Sequence, residues 1–110
     1  MANKYLHVAL IPNAATETTL LTVPAANTAV LRSLRVTNTG SSATLVSVTQ
    51  YNSGSVTANY LLKVKSLSAN QTFDVFNGVP CVLETGDVIK VTSTQASCHF
   101  YLSYLEVDRN

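Results

Sequence analysis

Two histidines, six carboxylates and two cysteines are the side chains in this 110-residue sequence that could act as bases, nucleophiles or metal ligands. His7 and His99 lie far apart, and His99 has apolar neighbours, which fits a structural histidine better than a catalytic one. Serine is abundant, but no Gly-x-Ser-x-Gly turn presents one as a nucleophile. Glu17, Asp74, Glu84, Asp87, Glu106 and Asp108 are scattered over predicted turns and strand ends. Glycoside cleavage needs two carboxyls across a groove, one with a raised pKa. Glu84 and Asp87 bracket Gly86 in Leu83-Glu84-Thr85-Gly86-Asp87. Such oxygens can bind calcium, yet the same letters spell a polar hairpin turn in which Gly86 supplies a positive φ, and the turn is the preferred reading. Cys81 and Cys98 form no Cys-x-x-Cys zinc motif. Their spacing does not decide whether they pair; the expectation is two free, half-buried thiols. The sequence thus points to no catalytic residues, no cofactor, no metal and no enzyme.

The elements around these residues are short runs rich in Val, Leu and Thr, punctuated by Gly, Asn, Ser and Pro. That is the pattern of an antiparallel sandwich or barrel. Eight strands are predicted, over residues 5–11, 17–23, 28–38, 43–51, 59–66, 72–76, 88–93 and 97–107. A short extended piece at 81–83 precedes the turn at 84–87. Alternation places Val46 and Val48 opposite Ser47 and Thr49, since residues two apart share a face of a strand. It likewise sets Val30, Leu34 and Val36 against Ser33, Arg35 and Thr37, and Tyr60, Leu62 and Val64 against Lys63 and Lys65. No helix, repeat or linker stands out. Residues 1–110 read as one all-β domain, a single antiparallel β-sandwich of about eight strands, jelly-roll-like, with an arm at 1–4 and a charged tail at 108–110. The run pattern does not separate a true jelly roll from other eight-stranded topologies.

Composition bounds the function classes. Hydrophobic residues make up 46% and charged residues only 12%, about half the charge of an ordinary soluble domain. Thr, Ser and Asn fill the gap. Such a surface suits a protein packed against other subunits. Surface scaling gives a folded accessible area of roughly 5,900 Å², enough for one core without staples. The net charge is +1 with no Lys/Arg run; nucleic-acid binding needs a basic patch, so none is expected. No segment approaches the length of a transmembrane helix, and the apolar run at 5–11 is too short and polar for a signal peptide. The expectation is assembly in the cytosol.

The last strand is unusual. Cys98, Phe100, Leu102 and Tyr104 share one face, while His99, Tyr101, Ser103, Leu105 and Val107 share the other. Both faces are largely apolar. One enters the core, and the other needs a cover: the N-terminal strand, a loop or a neighbouring subunit. Tyr5, His99, Tyr101, Leu105 and Val107 are therefore the candidate subunit interface.

Four stretches carry a resemblance. They are Ala29-Val30-Leu31-Arg32-Ser33-Leu34-Arg35-Val36-Thr37-Asn38-Thr39; Leu67-Ser68-Ala69-Asn70-Gln71-Thr72; Val82-Leu83-Glu84-Thr85-Gly86-Asp87-Val88-Ile89-Lys90-Val91; and Tyr101-Leu102-Ser103-Tyr104-Leu105-Glu106-Val107. Their order, over roughly residues 28–107, resembles small virion proteins of tailed bacteriophages, including those of cyanobacterial phages. The resemblance implies a structural sandwich without catalytic residues, similar to capsid cement or decoration proteins and also to neck, tail and fibre-attachment proteins.

Three readings follow. The first is a cement protein of the virion, made in the host cytoplasm. It would be a homo-oligomer with a trimer favoured, bridging subunits of the major capsid protein or binding other virion proteins. The second is a neck, tail or baseplate component. The third is a glycan-binding module using Tyr51 and Tyr60 beside the loop at 52–59.

Overall fold

The computed structural model describes residues 3–108. Nine strands follow one another: β1 (Asn3–Leu10), β2 (Thr18–Thr22), β3 (Asn27–Asn38), β4 (Thr44–Tyr51), β5 (Asn59–Leu67), β6 (Thr72–Asp74), β7 (Cys81–Leu83), β8 (Val88–Ser93) and β9 (Cys98–Asp108). The larger sheet runs β1-β9-β3-β6, with β7 also against β3; the smaller runs β2-β8-β4-β5. β6 and β7 pair with opposite ends of β3, at Arg35–Thr37 and Ala29–Leu31. They fill one strand position between them, so the nine segments occupy eight places. Every pairing is antiparallel, and the chain crosses between sheets in the order of a jelly roll. The extended piece foreseen at 81–83 is thus a strand in its own right.

The core is aliphatic. Leu31, Leu34 and Val36 of β3, with Phe100 and Leu102 of β9, meet Val46 and Val48 of β4 and Ile89 and Val91 of β8, all essentially without exposure. The accessible area of 5925 Å² matches the scaling expectation for a chain this size.

Bulges redirect two of the predicted faces. β3 carries an extra residue, Arg32, between Leu31 and Ser33. Val30 therefore sits opposite Leu105 on the outer face, not with Leu34 and Val36. β5 shifts register twice against β4, so that Tyr60 opposes Thr49 whereas Leu62 opposes Val48 and Lys65 opposes Val46. Tyr60, Leu62 and Val64 do not share a face. Bulges place two residues against one, which resets the two-residue period.

The ends differ from expectation as well. Asn3 and Lys4 already belong to β1, and Asp108 closes β9 opposite Asn27. The rest of the expected arm and tail lies outside the described residues. β1 does not cover the outer face of β9 either: it lies beside β9 in the same sheet, in unbroken register from Asn3↔Val107 to Leu10↔Phe100.

The polar interior is fully paired: among the described residues no buried side-chain polar atom lacks a hydrogen bond. Asn38, fully buried at the end of β3, is the densest node. Its Nδ2 donates to the carbonyls of Ser42 (2.8 Å), Leu67 (3.2 Å) and Ser68 (3.3 Å), and its Oδ1 accepts from the Gly40 amide (3.0 Å) and the Ser97 hydroxyl (2.9 Å). One amide thereby ties three loops at one end of the sandwich.

Candidate functional site

β9 keeps strict alternation, with Cys98, Phe100, Leu102 and Tyr104 buried inward. His99, Tyr101, Ser103, Leu105 and Val107 consequently line the outer face of the larger sheet. Tyr5 lies directly opposite Leu105 and joins them. All five predicted interface residues stand on one face. Tyr5 is 77% exposed and Tyr101 37%, His99 is exposed, and Leu105 and Val107 are half-buried. His99 is therefore a surface side chain rather than one enclosed by apolar neighbours.

The structure adds residues that sequence reasoning did not assign to this face. His7 stacks on Tyr101, and the Arg35 guanidinium lies 5.4 Å from the centroid of that ring. Val30 comes over from β3, and Val82 of β7, 67% exposed, lies opposite it. An open groove of about 470 Å³ runs beside β1, lined among others by Tyr5, His7, Arg32, Tyr101 and Ser103. The signal for Val30 is present in the sequence: Leu31 and Leu34 are three apart, an odd spacing that breaks strand alternation between them.

This face offers rings, aliphatic surface and two guanidinium groups, which suits packing against another protein surface. The groups that could do chemistry are dispersed. Among the described residues no three His, Cys, Asp or Glu side chains come together as metal ligands. The Asp87 carboxylate is occupied as a turn anchor, accepting from the Ser53 amide (3.0 Å) and the Glu84 amide (2.9 Å). Gly86 adopts φ +83°, as the hairpin reading requires.

The cysteines are free. Cys81 lies opposite Leu31 and Cys98 opposite Asn38, seven positions apart along β3. That separation is roughly 20 Å, far beyond the 7 Å Cα limit for a disulfide. Cys81 is half-buried as expected, but Cys98 is fully enclosed. Burial pushes both thiols above their ordinary pKa.

The tyrosines proposed for glycan stacking are engaged within the chain. Lys90 Nζ lies 4.8 Å from the Tyr51 ring centroid, and the Tyr51 hydroxyl donates to Glu17. Lys63 Nζ lies 5.0 Å from the Tyr60 centroid. One face of each ring is thus covered by a lysine.

Among the described residues no helix is long and apolar enough to cross a membrane. No protein-family model matches the chain, and no curated protein matches its sequence. Solved structures do share its fold. A chain of the T13 particle of infectious bursal disease virus superposes with a TM-score of 0.61 at 10% identity, covering 94% of this chain and 30% of that one. A chain of the Gx strain of the same virus gives 0.57 at 9% identity, over 94% and 32%. This chain therefore spans about a third of each of these two viral chains. A chain of the Bacillus endospore appendages, described as disulfide-linked pili, gives 0.55 at 12% identity, over 99% of this chain and 88% of that one. At these identities the likeness is one of fold: the chain shares its fold with a chain of a viral particle and with one of a spore appendage.

Proposed function

We propose that the chain is a structural subunit of a virus particle. In this reading it is a cement or decoration protein of a phage, whose outer sheet face binds the major capsid protein or other virion proteins. The observation that carries it is the single face that gathers Tyr5, Tyr101, Leu105 and Val107 on the larger sheet of the jelly roll. The sparse charge of the surface and the fold shared with a viral particle support it. The mechanism is linkage. A protein that binds only the assembled lattice stabilises that lattice, by about 2.7 kcal/mol per site at a hundredfold excess over Kd. Many copies, each with a modest interface, add up. A neck, tail or fibre-attachment position would use the same face.

A second reading rests on a different observation. The spore-appendage chain is matched over 88% of its length, whereas the two bursal-disease-virus chains are matched over about a third. A filament subunit, copies packed on copies, is the corresponding function.

Reconstruction of the purified particle by electron cryomicroscopy is the test. Density bridging neighbouring capsid subunits is the expected result. Density confined to the neck or tail would remove the cement role and keep the virion role. Absence from the particle, with filaments formed by the isolated chain, would overturn both in favour of the second reading.

A further inference from the structure

A sandwich of two open sheets has four edge strands, each presenting unpaired backbone groups that can template pairing with another chain. Here they are β1 and the β6/β7 pair in the larger sheet, and β2 and β5 in the smaller.

Three of these edges carry features that block such pairing. β2 has five residues and a register break between Thr19 and Leu21. β5 has two register breaks, the exposed Lys63, and Val64 at φ +51°. A β-branched residue in that region twists the edge away from a straight ladder. β6 and β7 have three residues each and are separated by a turn in which Asn77 and Gly78 both take positive φ.

β1 lacks the short length, the register breaks and the positive φ of those edges. It runs eight residues in unbroken register with β9, contains no proline, and its one lysine is near the start. Among the described residues, no backbone hydrogen bond outside its ladder with β9 reaches residues 3–10. Its inward row is Leu6, Val8 and Leu10, and Leu6 is still 38% exposed. That leaves a straight edge of roughly 27 Å with partly uncovered aliphatic side chains.

The geometry points to pairing of β1 with the β1 of a second copy, antiparallel about a two-fold axis. Among the edge strands of the described residues, only another β1 is straight and long enough to complete the ladder. A two-fold axis normal to the sheet, midway between one residue and its own equivalent, keeps Leu6, Val8 and Leu10 on the same side as their equivalents, and Tyr5, His7 and Ala9 on the other. Isologous two-fold pairs are also the commonest closed assemblies. The larger sheets of both copies would then form one continuous sheet, with both outer faces directed to the same side. The inference stands apart from the virion reading, because the pair forms whichever larger object the chain joins.

The test uses the unmodified full chain first. Sedimentation velocity at micromolar concentration is expected to give twice the 11.8 kDa of one chain, or a larger even multiple. A monomer or a trimer overturns the inference. The axis is then located by single cysteines at Tyr5, Leu6, His7, Val8 and Ala9 in a Cys81→Ser background, under mild oxidation. Directly opposed strand residues lie within disulfide range. A covalent dimer centred on one position is expected; an even-numbered oligomer in which no position cross-links overturns the pairing. A particle reconstruction that contradicts the virion reading leaves both measurements unchanged.

Discussion

The imidazole of His7 lies flat on the ring of Tyr101, with centroids 5.4 Å apart and planes 10° from parallel. The two residues are diagonal neighbours across the β1–β9 ladder, where His7 faces Ser103 and Tyr101 faces Ala9. Diagonal pairs with large rings reach each other across a sheet. The stack clamps the edge strand to the sheet at the centre of the candidate interface. Replacing His7 with alanine is expected to cost about 0.5–1.5 kcal/mol. Hydrogen exchange should show the loss as faster exchange in β1, with the β4 and β8 amides unchanged.

Asn38→Ala is expected to be among the most damaging polar substitutions. It leaves the Ser42, Leu67 and Ser68 carbonyls and the Gly40 amide without their side-chain partner. Unsatisfied buried groups cost about 1–3 kcal/mol each, and relaxation recovers part. A net loss of about 2–4 kcal/mol should lower Tm by roughly 10 °C or more in thermal unfolding. Asn38→Asp should not rescue it, because a carboxylate accepts where the three carbonyls need a donor.

Gly86→Ala tests the turn that the sequence made visible. Its φ of +83° strains any side chain, and an added Cβ would collide with the side chain of Ser53. The left-handed conformation accounts for about 1–2 kcal/mol, and the collision adds to it. Pairing the change with Ser53→Gly should recover the steric part and leave the conformational part, which a double-mutant cycle in urea will separate.

The thiols give a pH prediction. Burial raises both pKa values, so the native protein holds protons that the unfolded chain releases near the ordinary value. Stability contributed by the neutral thiols is complete below that value and is lost as pH rises past about 9. Since the thiolate is the nucleophile, iodoacetamide at neutral pH should label Cys81 slowly and Cys98 scarcely at all. Denaturant should expose both. Labelling read by mass spectrometry checks this, and rapid modification of Cys98 in the native chain would contradict its burial.

The strand segments were legible because the sandwich interior enforces a local rule. A strand with one face in the core must alternate, and the turns between strands need residues that accept positive φ. β7 and β8 fall where the residues predict them, and β9 alternates without a break from Cys98 onward. The outer face of β9 was legible for the same reason. Two-residue spacing puts His99, Tyr101, Leu105 and Val107 together whatever the sheet around them.

The places where alternation misled are the bulges. At Arg32, and twice along β5, an extra residue reverses which side chains face inward. A bulge is chosen by how two strands must twist to pack, and the strand's own letters mark it only faintly. Who pairs with whom lay further out of reach. Tyr5 meets Leu105 across a hundred residues of chain, and Asn38 gathers carbonyls from two separate loops. The sequence by itself determined an all-β, weakly charged chain with one strand apolar on both faces, because hydrophobic period and turn chemistry act over a few residues. The sheet order, the exposed edge of β1 and the assembly of one continuous outer face depended on long-range packing, because only closing the two sheets on a shared core selects among pairings that are locally equivalent.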